Sequence, residues 1–143
     1  ARRARAPHFF CGDAMALPFA DETFDLCTVA FGIRNVEDPV AALAEMRRVT
    51  RPGGRVVVLE FCRPRVPVLG QAYLFYFRRV LPRLGRWING AESTAYQYLP
   101  DSVMAFPERA AFLDLMRAAG LQSPTQTILS GGIAAIYRGE VRA

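Results

Sequence analysis

The sequence predicts an α/β protein with a doubly wound, mainly parallel sheet that ends in an antiparallel hairpin. An amphipathic segment at 40–49 precedes a β-branched run at 55–61, the order expected of a strand–helix–strand crossover. Two short β segments, 125–129 and 133–137, flank Ser-Gly-Gly at 130–132, which is a hairpin signal. Glycine-containing turns punctuate the first half of the chain, at 12–14, 31–35 and 51–54.

The first elements are a short strand that ends at 8–11 and a longer strand at 23–31. The longer strand is apolar almost throughout from Phe24, as expected for a strand buried on both faces. Asp38 then supplies an N-cap and Pro39 a first-turn residue for a helix of about three turns. Arginines near the end of this helix suit the negative end of its dipole.

The second half of the pattern begins with a stop and a central strand. Pro-Gly-Gly at 52–54 is predicted to end the helix, and 55–61 to form the central strand. Two segments rich in aromatic residues follow, a helix at 68–81 and a second segment at 91–106. An amphipathic helix then runs from 107 to Gly120, ahead of the terminal hairpin.

Length, charge and cysteine usage limit the class of protein. The chain has 143 residues, enough for one soluble globular domain, and its longest uncharged run near the middle, 66–77, is too short to cross a bilayer. The net charge of +5 favours anionic partners, although scattered arginines more often form a solvated face. The three cysteines lack ligand spacing, so we expect reduced, buried thiols, a cytoplasmic protein and no metal site. His8, the single histidine, is expected to be structural.

Polar residues follow the predicted strands, where ligands of doubly wound sheets bind. Asp13 can accept a hydrogen bond from the amine of an adenine ring, or it can cap its own turn, the commoner role of a lone Gly-Asp pair. Arg34 and Asn35 form a donor-rich pair that can hold an oxyanion or cap the following helix. Glu60 and Arg63, after the central strand, can pair with each other.

Several pieces of the sequence together resemble one enzyme family. They are GDAMALPF at 12–19, FD at 24–25, FGIRNV at 31–36, RPGG at 51–54, LEF at 59–61 and LPRLG at 81–85. This set resembles the C-methyltransferases of ubiquinone and menaquinone biosynthesis. The Leu-Pro-Phe and Pro-Gly-Gly pieces are generic to class I S-adenosylmethionine methyltransferases, whereas FGIRNV is much more specific to the quinone branch. The similarity covers nearly the whole chain after about residue 8.

The resemblance implies roles for five residues of a Rossmann-like class I fold. Asp13 and Ala14 would line the adenine end of S-adenosylmethionine, and Ala30 would lie against this cofactor at the end of the next strand. Many relatives look to have serine at the position of Ala30, so one hydroxyl contact would be missing. Arg34 and Asn35 would be catalytic. Arg34 would stabilise the phenolate of a demethylated quinol, and Asn35 would orient it or a water that takes the ring proton.

The resemblance also implies what surrounds the site. The family's strand order is 3-2-1-4-5-7-6, and its glycine-rich loop and ribose-binding acid would lie upstream of Ala1. Residues 1–143 are therefore expected to form a single incomplete domain, its C-terminal portion, with a substrate-covering helical insertion at about 64–106. The expected partner is a prenylated quinol, with peripheral contact to the inner face of the membrane through arginines at 78–86. A homodimer is among the expected assemblies, and nucleic acid is not an expected partner.

Two other functions stay open from the sequence. One is a truncated, non-catalytic binding fragment, and the other is a basic module whose nucleic-acid binding would fall steeply with salt. Open sheet edges and an exposed apolar face lead us to expect that the 143 residues alone fold poorly and transfer no methyl group. Micromolar binding of S-adenosylmethionine by this chain in calorimetry would contradict that expectation.

Overall fold

The computed structural model describes residues 7–63 and 106–142. The predicted insertion, with its helix at 68–81 and its aromatic segment at 91–106, lies outside these residues apart from Phe106. No helix in the described ranges is long and apolar enough to cross a membrane. The described elements are β1 (Phe24–Ala30), α1 (Pro39–Val49), β2 (Thr50–Phe61), α2 (Ala110–Ala118), β3 (Gln122–Leu129) and β4 (Ala134–Glu140).

The described strands form one sheet in the order β1-β2-β4-β3. β1 and β2 are parallel and are connected through α1, whereas β4 runs antiparallel to both β2 and β3. The α/β class, the parallel crossover and the terminal antiparallel hairpin are therefore confirmed. This order also equals the last four strands of the family order, 4-5-7-6, that the resemblance implies.

Helix α1 forms where the capping signals predict it. The Asp38 carboxylate accepts hydrogen bonds from the backbone N–H groups of Val40 and Ala41, at 2.9 and 3.1 Å, while Pro39 occupies the first turn. At the other end the Thr50 hydroxyl donates to the Met46 carbonyl at 2.6 Å as the backbone turns extended. The helix therefore ends at Val49, before the glycine turn is reached.

The prediction that residues 52–54 separate helix from strand is wrong. β2 already begins at Thr50, and its register with β1 shifts beside these residues, which form an irregularity within the strand. Gly53 has φ +76°, in the left-handed region. A Cβ on Gly54 would lie 2.8 Å from the Asp25 carbonyl oxygen. Gly53 therefore suits the left-handed conformation, and Gly54 is needed because the backbones approach closely at its position.

Helix α2 begins shortly after Pro107 and ends at the predicted glycine. Gly120 has φ +82°, and its N–H donates to the Arg117 carbonyl at 2.9 Å. The next N–H, of Leu121, donates to the Met116 carbonyl at 3.0 Å. This pair of bonds is a Schellman motif, which satisfies the last carbonyls of the helix.

The core lies between the two helices and the alternate residues of β2 that face them. Val56 and Val58 are fully buried, and they belong to one apolar cluster with residues of α1, α2 and β4. The principal members are Leu43, Met46, Phe112, Met116 and Tyr137. Because both described helices join this cluster, they cover the same face of the sheet.

β1 is less buried than the sequence predicts. It alternates between half-buried and exposed positions, and the Leu26 side chain is 52% exposed. The expectation of burial on both faces is wrong because β1 is the edge strand of the described sheet, with β2 on one side only.

The segment before β1 also differs from the prediction. Residues 7–12 have no regular secondary structure, and Phe9 is 90% exposed. The family order separates this strand from β1 by two other strands, so it has no neighbour within the described sheet to pair with. Cys11 in this segment is exposed, contrary to the prediction, whereas Cys27 is half-buried and Cys62 is buried. All three thiols are free, and burial raises the pKa of Cys27 and Cys62.

Candidate functional site

The candidate site is the edge of the sheet where β1 and β2 end side by side. Ala30, the last residue of β1, is paired with Leu59. Phe31 follows with φ +54°, and its N–H donates to the Leu59 carbonyl at 2.9 Å. The Phe31 and Phe61 rings lie 4.4 Å apart, and the chain then makes a 3-10 turn at Ile33–Asn35. The parallel pairing thus brings the predicted turn at 31–35 next to the end of β2, at one edge of the sheet.

The main polar interaction at this edge is a buried ion pair between Arg34 and Glu60. The Arg34 Nη1 atom lies 3.1 Å from Oε1 and 2.9 Å from Oε2 of Glu60. The two side chains are only 8% and 2% exposed. Nη1 also donates to the Phe31 carbonyl at 2.8 Å. The guanidinium is thereby attached to both strand ends.

The rest of the Arg34 guanidinium is not used in the same way. Its Nε is buried and has no hydrogen-bond partner in the described part of the chain. Its Cζ lies 5.4 Å from the centre of the Phe61 ring, within the range of a cation–π contact. A buried N–H without an acceptor is costly, so Nε is a donor that a bound anion or polar oxygen can satisfy.

The predicted pairing of Glu60 with Arg63 is wrong, since each has another partner. Arg63 Nε lies 3.2 Å from Oε1 of Glu108, and the Arg63 N–H donates to Oε2 of Glu108 at 2.6 Å. The Arg109 guanidinium donates to the Arg63 carbonyl at 3.2 Å. Glu60 lies on β2 and meets Arg34, whereas Arg63 lies beyond the end of β2 and meets Glu108.

A buried tyrosine lies next to this second pair. The Tyr137 hydroxyl accepts a hydrogen bond from the Arg109 N–H at 2.8 Å and lies 3.4 Å from the Cys62 sulfur. Burial, with the Cys62 contact, raises the pKa of Tyr137 well above its usual range. The phenol therefore stays neutral and connects the end of β2, the start of α2 and β4.

The two expected adenine-side residues occupy a turn ahead of β1. The Asp13 carboxylate accepts from the Met15 N–H at 2.8 Å, and the Asp13 carbonyl accepts from the Ala16 N–H at 3.1 Å. The turn-capping role weighed for Asp13 is thus observed. In the described residues this bond uses only Oδ1 of the carboxylate, which leaves Oδ2 available to a ligand. The role of Asp13 as an acceptor for adenine stays a prediction.

An apolar cavity of about 340 Å³ lies between this turn and the end of β1. Ala14 lines it together with Val29, Gly32 and Ile33. The size lies within the range of small-molecule sites, and the apolar walls suit the flat ring of an adenine. The residues present therefore fit the adenine ring of S-adenosylmethionine. Ala30 lies outside the lining, exposed at the end of β1, and its contact with the cofactor stays a prediction.

Helix α1 holds the loop that carries Ala14. Arg48 donates to the carbonyls of Leu17 and Phe19, at 3.0 and 2.9 Å, and pairs with Asp21 at 2.6 Å. Glu45 accepts from the Leu17 N–H at 2.8 Å. Hydrogen bonding from Arg48 lowers the pKa of Glu45, and the two carboxylates together raise the pKa of Arg48. This charge network fixes one wall of the cavity.

Other predicted site residues are placed without a described polar role. Asn35 is exposed at the end of the 3-10 turn, and it does not cap α1, because Asp38 does so. His8 is exposed in the segment before the Asp13 turn. No group of three or more metal-ligating side chains occurs within the described ranges.

A second cavity, of about 400 Å³, lies at the opposite end of the strands. Residues 51–55 and Asp25 line it, and an exposed Arg51–Asp25 ion pair of 3.0 Å lies at its side. It is far from the carboxyl ends of β1 and β2, where sheets of this type bind ligands, so it is not part of the candidate site.

The comparison with known families agrees with this geometry. The model of the ubiE/COQ5 methyltransferase family matches residues 4–141. The chain belongs to the ubiE/COQ5 methyltransferase family. The family is one of S-adenosylmethionine-dependent methyltransferases, so the cofactor expected from the sequence is confirmed at the level of the family.

Relatives of this methyltransferase family are similar over most of the chain. The ubiquinone/menaquinone biosynthesis C-methyltransferase UbiE of Bdellovibrio bacteriovorus is 52% identical over 131 residues, which are 91% of this chain and 55% of that protein. The demethylmenaquinone methyltransferase of Alkalihalophilus pseudofirmus is 44% identical over 128 residues, 90% of this chain and 54% of that protein. The chain thus spans about half the length of the curated relatives it matches.

Solved structures show the same fold. A SAM-dependent methyltransferase from Thermotoga maritima superimposes with a TM-score of 0.60 at 22% identity, covering 92% of this chain and 62% of that chain. At 22% identity this similarity shows the fold alone. Any function of the site has to be argued from its own residues and from the family match.

Sequence reasoning missed Glu60 as the partner of Arg34 and Glu108 as that of Arg63. A signal for Glu60 was present, because it follows Val56-Val57-Val58-Leu59 in a strand predicted to be central. A carboxylate on a buried strand must be paired, and an arginine at the neighbouring strand end is a natural partner. Glu108 carries no comparable sequence signal, because it lies near the start of a helix, where an acidic residue is common without any distant partner.

Proposed function

We propose that this protein takes part in quinone biosynthesis by transferring a methyl group from S-adenosylmethionine to a ring carbon of a prenylated demethylquinol. The observation that carries the proposal is the family match over residues 4–141. The two relatives described above, whose names are a ubiquinone/menaquinone C-methyltransferase and a demethylmenaquinone methyltransferase, support the substrate class. The chemistry is supported by the Arg34 corner, by which we mean Arg34 with its partners Glu60 and the Phe31 carbonyl.

The reaction needs a nucleophilic ring carbon. S-Adenosylmethionine, when bound, supplies an electrophilic methyl group on a sulfonium. A quinol carbon becomes nucleophilic when a neighbouring hydroxyl loses its proton, so the enzyme must favour the phenolate and accept the ring proton afterwards. We assign the first task to Arg34, whose buried Nε–H is free to hydrogen-bond an oxyanion.

Asn35 and the apolar cavity have supporting roles in this proposal. Asn35 follows Arg34 on an exposed turn, where its amide can orient the quinol oxygen or the water that takes the ring proton. Ala14 and the turn after β1 line a cavity that suits adenine, with Asp13 beside it as the candidate acceptor for the ring amine. Ala30, at the end of β1, would pack against the bound nucleoside.

A prenylated substrate is insoluble in water, so the enzyme must reach the membrane surface to collect it. We therefore propose a cytoplasmic protein with peripheral contact to the inner face of the membrane, supported by the arginine-rich charge balance of +5. The homodimer expected from the sequence stays a prediction.

The proposal is tested by methyl transfer in a detergent or vesicle assay. The intact gene product is incubated with methyl-labelled S-adenosylmethionine and demethylmenaquinol or the ubiquinone-pathway quinol. We expect label in the extracted quinol, on a ring carbon as located by mass spectrometry. Label on a quinol oxygen, or none in the quinol fraction while S-adenosylmethionine binds normally in calorimetry, would overturn the proposal.

A further inference from the structure

The Glu60 carboxylate is held at the candidate site by contacts both to Arg34 and to its own strand. It projects from β2 onto the helix-covered face of the sheet and is only 2% exposed. Its Oε2 also accepts a hydrogen bond from the backbone N–H of Phe61 at 3.0 Å. A carboxylate fixed to its own strand in this way can hold a partner in one position.

Glu60 and the Phe31 carbonyl occupy a single nitrogen of Arg34. Nη1 carries two hydrogens, and it contacts the Phe31 carbonyl at 2.8 Å and the two Glu60 oxygens at 2.9 and 3.1 Å. Of the five guanidinium N–H groups, those contacts use the two of Nη1 and leave the two of Nη2 and the Nε–H, and the Nε atom is buried without a partner in the described chain. The guanidinium is therefore held through Nη1, and its Nε–H remains available as a hydrogen-bond donor.

Charge explains why such an anchor is needed. An arginine with a side chain only 8% exposed must be compensated by a nearby anion, or it leaves the site for solvent. Glu60 is the carboxylate that contacts Arg34 in the described residues. Its negative charge also opposes ionisation of any phenol that binds beside Arg34, because like charges raise the pKa of an acid.

We propose that Glu60 is a positioning residue for methyl transfer: it holds Arg34 through Nη1 so that the free Nε–H hydrogen-bonds the oxygen of the bound quinol. The inference rests on the proposed function and deepens it. Glu60 acts through Arg34, and it contributes two effects of opposite sign. It orders the donor that stabilises the phenolate, and its charge keeps the phenol pKa from falling too far.

The test is a Glu60→Gln variant of the intact gene product, which keeps the shape of the side chain and removes its charge. We expect kcat to fall by about tenfold to a hundredfold, because the oxyanion donor is no longer ordered. Affinity for S-adenosylmethionine in calorimetry should stay within about twofold of wild type, since the Ala14 cavity is untouched. The acidic limb of the pH–kcat profile should move to lower pH, because loss of a nearby negative charge lowers the phenol pKa.

Two further variants separate positioning from stability. Glu108→Gln removes a similarly buried, ion-paired carboxylate that contacts Arg63 instead of Arg34, and it should leave the acidic limb unmoved. Glu60→Asp keeps the charge but withdraws it by one methylene, so kcat should fall without a shift of the limb. This variant also serves if Glu60→Gln does not fold.

The outcomes distinguish this inference from the function on which it rests. Wild-type protein that transfers no methyl group to the quinol overturns both. If the wild type is active, two results would overturn the role of Glu60 alone. One is a folded Glu60→Gln variant with unchanged kcat and pH profile, and the other is a Glu60→Asp variant with unchanged kcat. A limb that shifts equally in Glu108→Gln would also overturn it, because the effect would then be one of general charge.

Discussion

At the scale of single residues, the site is organised by pairs of opposite charge that connect chain segments distant in sequence. Arg34 reaches Glu60, 26 positions later, and Arg63 reaches Glu108, 45 positions later. Each pair connects the end of one element to another at the edge where β1 and β2 end. Desolvation offsets much of the attraction within the buried Arg34–Glu60 pair, so its net contribution to stability is small although loss of one partner would be costly.

Tyr137 provides the residue-scale prediction for stability. Tyr137→Phe removes the acceptor of the Arg109 N–H, which now lies 2.8 Å from the hydroxyl. We expect the free energy of unfolding to fall by about 1–3 kcal/mol at pH 7, measured by chemical denaturation. An unchanged value would contradict the role of this hydrogen bond.

The raised pKa of Tyr137 adds a pH dependence to the same experiment. A group whose pKa is raised by folding contributes stability that is fully present below its unfolded pKa, about 10 for tyrosine, and that is lost as the pH rises toward the folded value. The free energy of unfolding of the wild type should therefore fall above about pH 10. Tyr137→Phe should lack this part of the loss, because it has no phenol to ionise at this position. Parallel alkaline losses in both proteins would contradict this assignment.

At the scale of elements, local capping signals were reliable and the boundary between α1 and β2 was not. Asp38 and Gly120 cap their helices as predicted, because both act on neighbouring backbone groups. Residues 52–54 were misinterpreted as a stop. Gly53 instead donates its N–H to the Val141 carbonyl at 2.9 Å, a contact with the chain end that no local pattern reveals.

Gly54 gives the element-scale prediction. A methyl group at Gly54 would lie 2.6 Å from Thr50 Cγ2 and 2.8 Å from backbone oxygens, closer than packed atoms allow. Gly54→Ala should therefore lower the free energy of unfolding by about 1–3 kcal/mol in thermal or chemical denaturation.

The matched control is Gly53→Asn at the neighbouring position. Gly53 has φ +76° with open space around it, and asparagine tolerates this conformation better than other residues. Gly53→Asn should therefore lower the free energy of unfolding by less than Gly54→Ala does. Equal losses in the two variants would show that backbone conformation, and not the close approach at Gly54, limits this strand.

At the scale of the whole molecule, the fold was largely predictable and the burial was not. Class, crossover, hairpin and strand order follow from periodicity, turns and the family pattern. Burial of β1 depends on what lies beyond its open edge, and Leu26 shows that β2 alone does not cover it. The segment at 7–12 was mispredicted for the same reason, because a strand forms only beside a partner.

The candidate site was predictable in position but not in detail. The sequence indicates Arg34 and Asn35 at the end of β1, and Ala14 near the same cavity, because strand ends and turns are local features. The partner of Arg34 depends on the pairing of two strands separated by a helix. A single sequence does not reveal such a long-range contact, so the partner of Arg34 was not predicted.

The central claim, that the Arg34 corner performs methyl transfer, is tested most directly by the turnover of Arg34→Lys in the intact gene product. Lysine keeps the charge but lacks the planar fork that reaches Glu60 and the quinol oxygen together. Arg117→Lys, which alters an exposed pair on α2, is the control. We predict a loss of kcat of about a hundredfold in Arg34→Lys, unchanged binding of S-adenosylmethionine and wild-type kcat in the control. Wild-type kcat in Arg34→Lys would contradict the account.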